Sequence, residues 1–217
     1  MILVGLGEAG KNITKLFKPH SKNYKIITLD ENDGIDKKSS VEEYDEHPIK
    51  FNQRGLKSHD EAILFVCGSG KIAGASLRVL EALKDYKTTV FYIVPDLEFC
   101  SREERMRHKV HFGVLQEYAR SALIKEMVIL SNKHLLKIAG HGTVSNYYEK
   151  VNFFIYSTIQ NIFYCKHVTP DFGKIKDKKK ISRICTIGFG SLDSDDEKLL
   201  FPLENITESM FLMNIEE

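Results

Sequence analysis

The first twelve residues, MILVGLGEAGKN (residues 1–12), decide the fold. Residues 2–5 form an apolar run of strand character, and Gly5-Leu6-Gly7-Glu8-Ala9-Gly10 follows with GxGxxG spacing. Ile13, Leu16 and Phe17 then recur at helical intervals, which predicts a helix over residues 12–17. Strand, glycine turn and helix together open a mononucleotide-binding βαβ unit. Glycine has no β-carbon, so a phosphate can approach its backbone N–H closely, and the helix N-terminus behind adds positive potential. The same spacing also serves tight helix–strand packing with no ligand. A further alternative is an NAD-dependent oxidoreductase, with Asp30 after the second strand as the acid that holds a ribose.

Outward from this unit, strands are predicted over residues 25–29, 62–67, 89–94, 127–130 and 184–187, with a short one near 49–51 in a stretch that otherwise reads as loop. Helices are predicted over about 73–85, 101–120 and 144–165, and a last apolar run spans 210–215. The run AILFVC (62–67) is apolar throughout, as a central parallel strand buried on both faces requires. Alternating strands and helices predict an α/β fold: a mostly parallel, Rossmann-like sheet with helices on both faces. In such sheets ligands sit beyond the C-terminal strand ends. That edge gathers the Gly5 turn, Asp30, a second turn with Gly68, Ser69, Gly70 and Gly74, then Pro95 and Asn132. Two glycine turns would cradle a polyphosphate from two sides. Lys71 reads as a mobile point charge for phosphate or a plain surface lysine; no complete P-loop pattern is present. Glu98 and Arg102, four apart, predict a shared helix face, as an ion pair or on a ribose or phosphate. Asn132 suits a base edge, or the cap of the next helix.

The 217 residues, 42% hydrophobic and 28% charged, suit one globular core with a small appendage. A net charge of +1 gives no reason to expect nucleic acid or an anionic membrane as partner. The basic run at residues 174–183 reads as a solvated loop. Cys67, Cys100, Cys165 and Cys185 are widely spaced, which predicts buried free thiols and no metal site. No stretch approaches a membrane span and the apolar N-terminus is too short for a signal peptide, so a cytoplasmic protein is expected.

Taken in order, these segments resemble the FtsZ/tubulin GTPase family, on the FtsZ side. VGLGEAGKN is similar to its first glycine loop, Asp30 falls where FtsZ has an NTD, and AILFVCGSGKIAGAS (62–76) resembles the strand and tubulin signature loop. Pro95, Glu98 and Arg102 resemble the ribose loop, given a one-residue deletion. VILSNKHLL (128–136) resembles xIPNDKLL, whose Asn binds guanine. Asn152 matches the Asn of the central helix, while Phe153 stands in place of a guanine-binding Asp. TPDFGK (169–174) resembles the catalytic loop, keeping Asp171 but putting Lys174 at the second acid.

The resemblance implies a domain spanning 1–180 that binds GTP or GDP, with Mg²⁺ accompanying the triphosphate. Residues 181–217 would begin a largely absent second domain or form a remnant packed on the first. The implied nucleotide set is Gly5, Gly7, Glu8, Ala9, Gly10, Asn12, Asp30, Gly68, Ser69, Gly70, Lys71, Gly74, Pro95, Glu98, Arg102, Asn132 and Asn152. Asp171 would act on the nucleotide of another subunit, with self-association or an FtsZ/tubulin-like partner implied. The altered signature loop puts a β-branched Ile72 where it is expected to obstruct phosphate, the Lys174 reversal is expected to weaken hydrolysis, and the largely absent second domain to weaken self-assembly. A non-catalytic module that regulates or caps FtsZ-like filaments is the alternative.

Overall fold

The computed structural model describes residues 1–20, 24–31, 35, 43–44, 61–139, 147–167, 183–190 and 198–211. Five parallel strands are β1 (Ile2–Leu6), β2 (Lys25–Leu29), β3 (Glu61–Cys67), β4 (Lys87–Val94) and β5 (Glu126–Ser131), and a two-residue β6 (Ile184–Cys185) extends them. Their order is β2-β1-β3-β4-β5-β6. β7 (Gly188–Phe189) pairs antiparallel with β8 (Lys198–Leu199) beside it. The helices are α1 (Gly7–Leu16), α2 (Ser76–Ala82), α3 (Arg102–Arg120), α4 (Asn132–Ala139) and α5 (Tyr147–His167).

Each strand feeds two cores by its alternation of side chains. Leu3, Ile63, Phe65, Phe91 and Val128 pack against Ile13 and Phe17 of α1, Leu135 of α4, and Val151, Ile155 and Ile159 of α5. Ile2, Val4, Leu64, Val66, Tyr92 and Ile129 face Val79 and Leu80 of α2 and Leu115 and Ala119 of α3. Helices therefore cover both faces, and Ala62 through Val66 are all buried, as the apolar run predicts.

Element limits differ from expectation where glycines act in packing. α1 starts at Gly7, five residues before position 12, so most of the glycine turn is the first turn of the helix. The segment before α2 is a 3-10 turn, Lys71–Ala75, so the predicted helix is shorter and later. α3 matches residue for residue at its C-terminus; Ser101 accepts from the Glu104 N–H while the Glu104 carboxylate accepts from Ser101 N–H, a capping box that fixes its start. Ile187 falls outside β6, though its carbonyl accepts from Leu200 N–H, and the buried Leu200 closes the core beside β5. The short strand near 49–51 and the stretch 212–215 lie outside the described residues. Met210 and Phe211 are exposed, in neither helix nor strand.

Candidate functional site: a crevice at the reversal of strand order

From β1 the chain goes to β2 on one side and to β3 on the other, so strand order reverses between β1 and β3. In open α/β sheets the ligand crevice lies beyond the strand ends at such a point. Register puts Leu6 beside Val66, Cys67 beside Ile93, and Val94 beside Ser131. The expected residues thus form one continuous edge: Asp30, the Gly7 turn, Gly68, Ser69 and Gly70, Pro95, and Asn132.

The glycines divide by physical role. A β-carbon on Gly5 would lie 2.4 Å from the Gly10 carbonyl oxygen, and one on Gly10 would lie 2.4 Å from the Phe65 carbonyl oxygen. Both seat α1 directly on β1 and β3, the tight-packing alternative of the sequence reading. Gly7 is different: its φ of +70° is left-handed, and among the described residues no atom beyond its chain neighbours and its own helix backbone lies within 4 Å of its would-be β-carbon. α1 begins there with no side-chain cap from Leu6. The amides of Gly7, Glu8 and Ala9 are first-turn donors that find no carbonyl within the helix. Glu8 is exposed in that first turn, so its carboxylate complements the helix dipole and repels an incoming anion. Asn12, one turn further on, is half-buried.

In the second loop, Gly68 fits beneath Tyr92: a β-carbon there would lie 1.9 Å from the Tyr92 hydroxyl. Gly74 is covered by Tyr44, whose ring would lie 2.6 Å from a β-carbon and whose hydroxyl donates to the Lys71 carbonyl. Gly70 is exposed, and among the described residues a β-carbon there meets only the Cys67 carbonyl oxygen, at 3.5 Å. Ile72 corrects one expectation. It is 4% exposed within the α2/α3 core, so it points inward and does not block the crevice. Lys71 is exposed, and the amides of Lys71 and Ile72 open the 3-10 turn, ahead of any carbonyl they can bond within it.

Two polar candidates are engaged elsewhere. Asp30 lies 3.5 Å from Lys11 Nζ, with both side chains 17% exposed, so the acid is tied to α1. A ribose contact there, as an NAD site needs, would compete with this lysine. Glu98 and Arg102 do not share a helix face. Glu98 lies in the turn before α3, which starts only at Arg102, and it pairs with Lys133 of α4. The hydrogen bond from Lys133 holds the Glu98 carboxyl below its ordinary range. Pro95 is buried at the end of β4. Asn132 is the first residue of α4 and half-buried, with no side-chain hydrogen bond among the described residues. Asn152 is half-buried on α5 beside an exposed Phe153. Asp171 and Lys174 lie outside the described residues. Cys67, Cys100 and Cys185 are free and half-buried, not fully buried as expected. Burial raises the Cys67 thiol's pKa despite hydrogen bonds with Ser69.

Lys11, Lys133 and a largely buried polar group behind the second loop, in which Arg107 is half-buried, were not singled out from sequence. That group comprises Tyr92, Arg107, His108 and His111. Positions 108, 111, 115 and 119 are the buried stripe of α3, so the visible signal was two histidines at core-facing helical positions.

This geometry defines the class: a doubly wound α/β protein whose strand order reverses between β1 and β3. No family model matches the chain, and no curated protein does. Among solved structures it is similar to CetZ2 from Haloferax volcanii, in a GTPgS-bound protofilament, at 14% identity and a TM-score of 0.55, covering 78% of this chain and 60% of that one. It is also similar to an empty FtsZ dimer from M. jannaschii, at 14% identity and a TM-score of 0.54, covering 74% of this chain and 53% of that one. The chain has the FtsZ/tubulin-like GTPase fold over some three-fifths or less of those proteins' lengths. Among the described residues, no helix is long and apolar enough to cross a membrane.

Proposed function

We propose that the crevice between β1 and β3 binds a guanine nucleotide, GTP or GDP, with its phosphates on the first turn of α1 and the loop after β3. The observation that carries this reading is Gly7. It opens an uncapped helix with left-handed backbone and clear space around it, at the reversal of strand order. Packing explains Gly5 and Gly10, and the left-handed φ accounts for glycine at 7; what supports a ligand is the open space that Gly7 leaves in front of the first-turn amides, where an anion is favoured. The half-buried Asn132 offers an amide donor and acceptor to a base edge on the same side of the sheet. Mg²⁺ would accompany a triphosphate, held mostly by phosphates and water. Binding without turnover by the isolated chain is the form of the proposal.

Calorimetric titration with GTP and GDP, with and without Mg²⁺, tests it. Saturable binding is expected, lost in Asn132→Ala. A folded protein that takes up neither nucleotide would sink the reading.

A second reading, an interaction module acting on FtsZ-like filaments, is favoured by Phe99, 86% exposed in the turn after β4 on the crevice edge. Sedimentation of an FtsZ-like polymer with and without this chain tests it. Unaltered assembly by both wild type and Phe99→Ser would oppose it.

A further inference from the structure

The loop after β3 is held from behind by α3. Arg107 Nε donates to the Ser69 carbonyl at 3.2 Å. The Tyr92 hydroxyl is 2.9 Å from His108 Nδ1 and donates to the His108 carbonyl at 3.2 Å, and Gly68 packs directly on this pair. His111, 1% exposed, faces the same loop. Burial lowers the His111 pKa and the Gly68 backbone offsets part of that, yet neither ring nitrogen closes a hydrogen bond among the described residues. A buried imidazole left in that state is destabilising, because its polar atoms have lost water without gaining a partner.

The carbonyls involved give this arrangement a direction. In a trans peptide, C=O and N–H point oppositely. The Gly68 carbonyl shares its peptide unit with the Ser69 N–H, and the Ser69 carbonyl shares its unit with the Gly70 N–H. Arg107, by taking the Ser69 carbonyl, turns the Gly70 amide away from α3, and a donor from His111 to the Gly68 carbonyl would do the same for the Ser69 amide. Hydrogen bonds accepted at the carbonyl end also polarise the N–H end of the same unit. The Gly70 N–H meets the Cys67 carbonyl only at 3.3 Å, a long bond that an anion can displace.

We propose that Arg107 and His111 are positioning residues, backed by the Tyr92–His108 pair, which orient the Ser69 and Gly70 amides toward a phosphate in the crevice. Arg107 holds the loop through the Ser69 carbonyl before any ligand binds. His111 supplies the donor that the Gly68 carbonyl takes up when the Ser69 amide is drawn to an anion. The inference rests on the nucleotide reading for its ligand, but the loop geometry can be measured without one.

The test uses the full chain with Arg107→Met, Arg107→Lys and His111→Leu. Amide hydrogen exchange across residues 68–71 is read without nucleotide, and GDP affinity by calorimetry. Arg107→Met keeps the aliphatic stem, and should speed exchange and weaken GDP about tenfold, the loss of one charge-assisted hydrogen bond. Arg107→Lys should restore part of both effects. His111→Leu removes an unpartnered buried polar ring, so the thermal midpoint should hold or rise while GDP affinity falls, a split that a purely structural role would not give. Unchanged loop exchange in Arg107→Met, with the variant folded, overturns the proposal whatever GDP does. Faster exchange with no GDP binding by wild type leaves the positioning role standing and refutes the nucleotide reading instead. GDP bound equally by wild type and His111→Leu removes His111 from the proposal.

Discussion

Gly70→Ala separates folding from binding at one atom. Gly70 has φ −63° and ψ 141°, extended backbone open to any residue, and among the described residues an added β-carbon meets only the Cys67 carbonyl oxygen, at 3.5 Å. Nothing in the described structure requires glycine here. Replacing glycine by alanine at a compatible position stabilises by about 0.4–1 kcal/mol, chiefly by restricting the unfolded chain. For a chain of this size that corresponds to a rise in Tm of about 1–4 °C. The crevice side of the loop responds oppositely. A methyl group beside the Gly70 and Lys71 amides keeps a phosphate from close approach, so GDP should bind about tenfold more weakly, a loss of about 1.4 kcal/mol. Differential scanning calorimetry gives the first quantity and titration calorimetry the second. A lowered midpoint would show a structural requirement that the geometry denies. A raised midpoint with unchanged affinity would take this loop out of the phosphate site.

Gly10→Ala is the counterpart: its β-carbon would lie 2.4 Å from the Phe65 carbonyl oxygen, backbone that cannot swing aside. Overpacking of this kind costs about 1–3 kcal/mol or more, and thermal denaturation should show a lowered midpoint; an unchanged one would mean α1 rides off the sheet freely. Glu8→Gln removes a negative charge from the first turn of α1. It should tighten GDP about 2–5-fold at low salt, an effect fading as salt is raised, and weaker binding would place the phosphate elsewhere. Burial lowers the pKa of both His108 and His111, so below the ordinary imidazole value of about 6.5 the unfolded state binds more protons than the folded one. Stability is therefore fully present above that pH and falls on acidification by up to about 1.4 kcal/mol per unit for each ring. Urea midpoints at pH 7.5 and 5.5 check this, and a pH slope identical in wild type and His111→Leu would remove His111 from the account.

The strand pattern was legible because its signals are local. The apolar run at 62–67 is β3, and Arg120 ends α3 as the helical spacing predicts. Side-chain partners were not legible because they are long-range. Asp30 meets Lys11 across the β1–β2 unit, and Glu98 meets Lys133 across 35 residues of chain, so sequence spacing offered Arg102 instead. Ile72 misled for a related reason. Its position in a loop motif says nothing about which way the 3-10 turn aims it, and the turn aims it into the core.

The GxGxxG pattern shows why a motif alone cannot carry function. Three glycines at the same spacing serve two purposes: Gly5 and Gly10 admit a helix onto two strands, while Gly7 turns the backbone and leaves space open. A protein retaining only the packing role would still need Gly5 and Gly10, so their presence argues for the fold and not for a ligand. The discriminating positions are those where packing sets no limit on the side chain. By that criterion the weight falls on Gly70 for space and Gly7 for open surroundings, although Gly7's positive φ gives it a backbone reason of its own. Gly70 is left as the glycine in the two loops whose side-chain absence neither packing nor conformation explains, and a ligand that presses on the backbone would explain it.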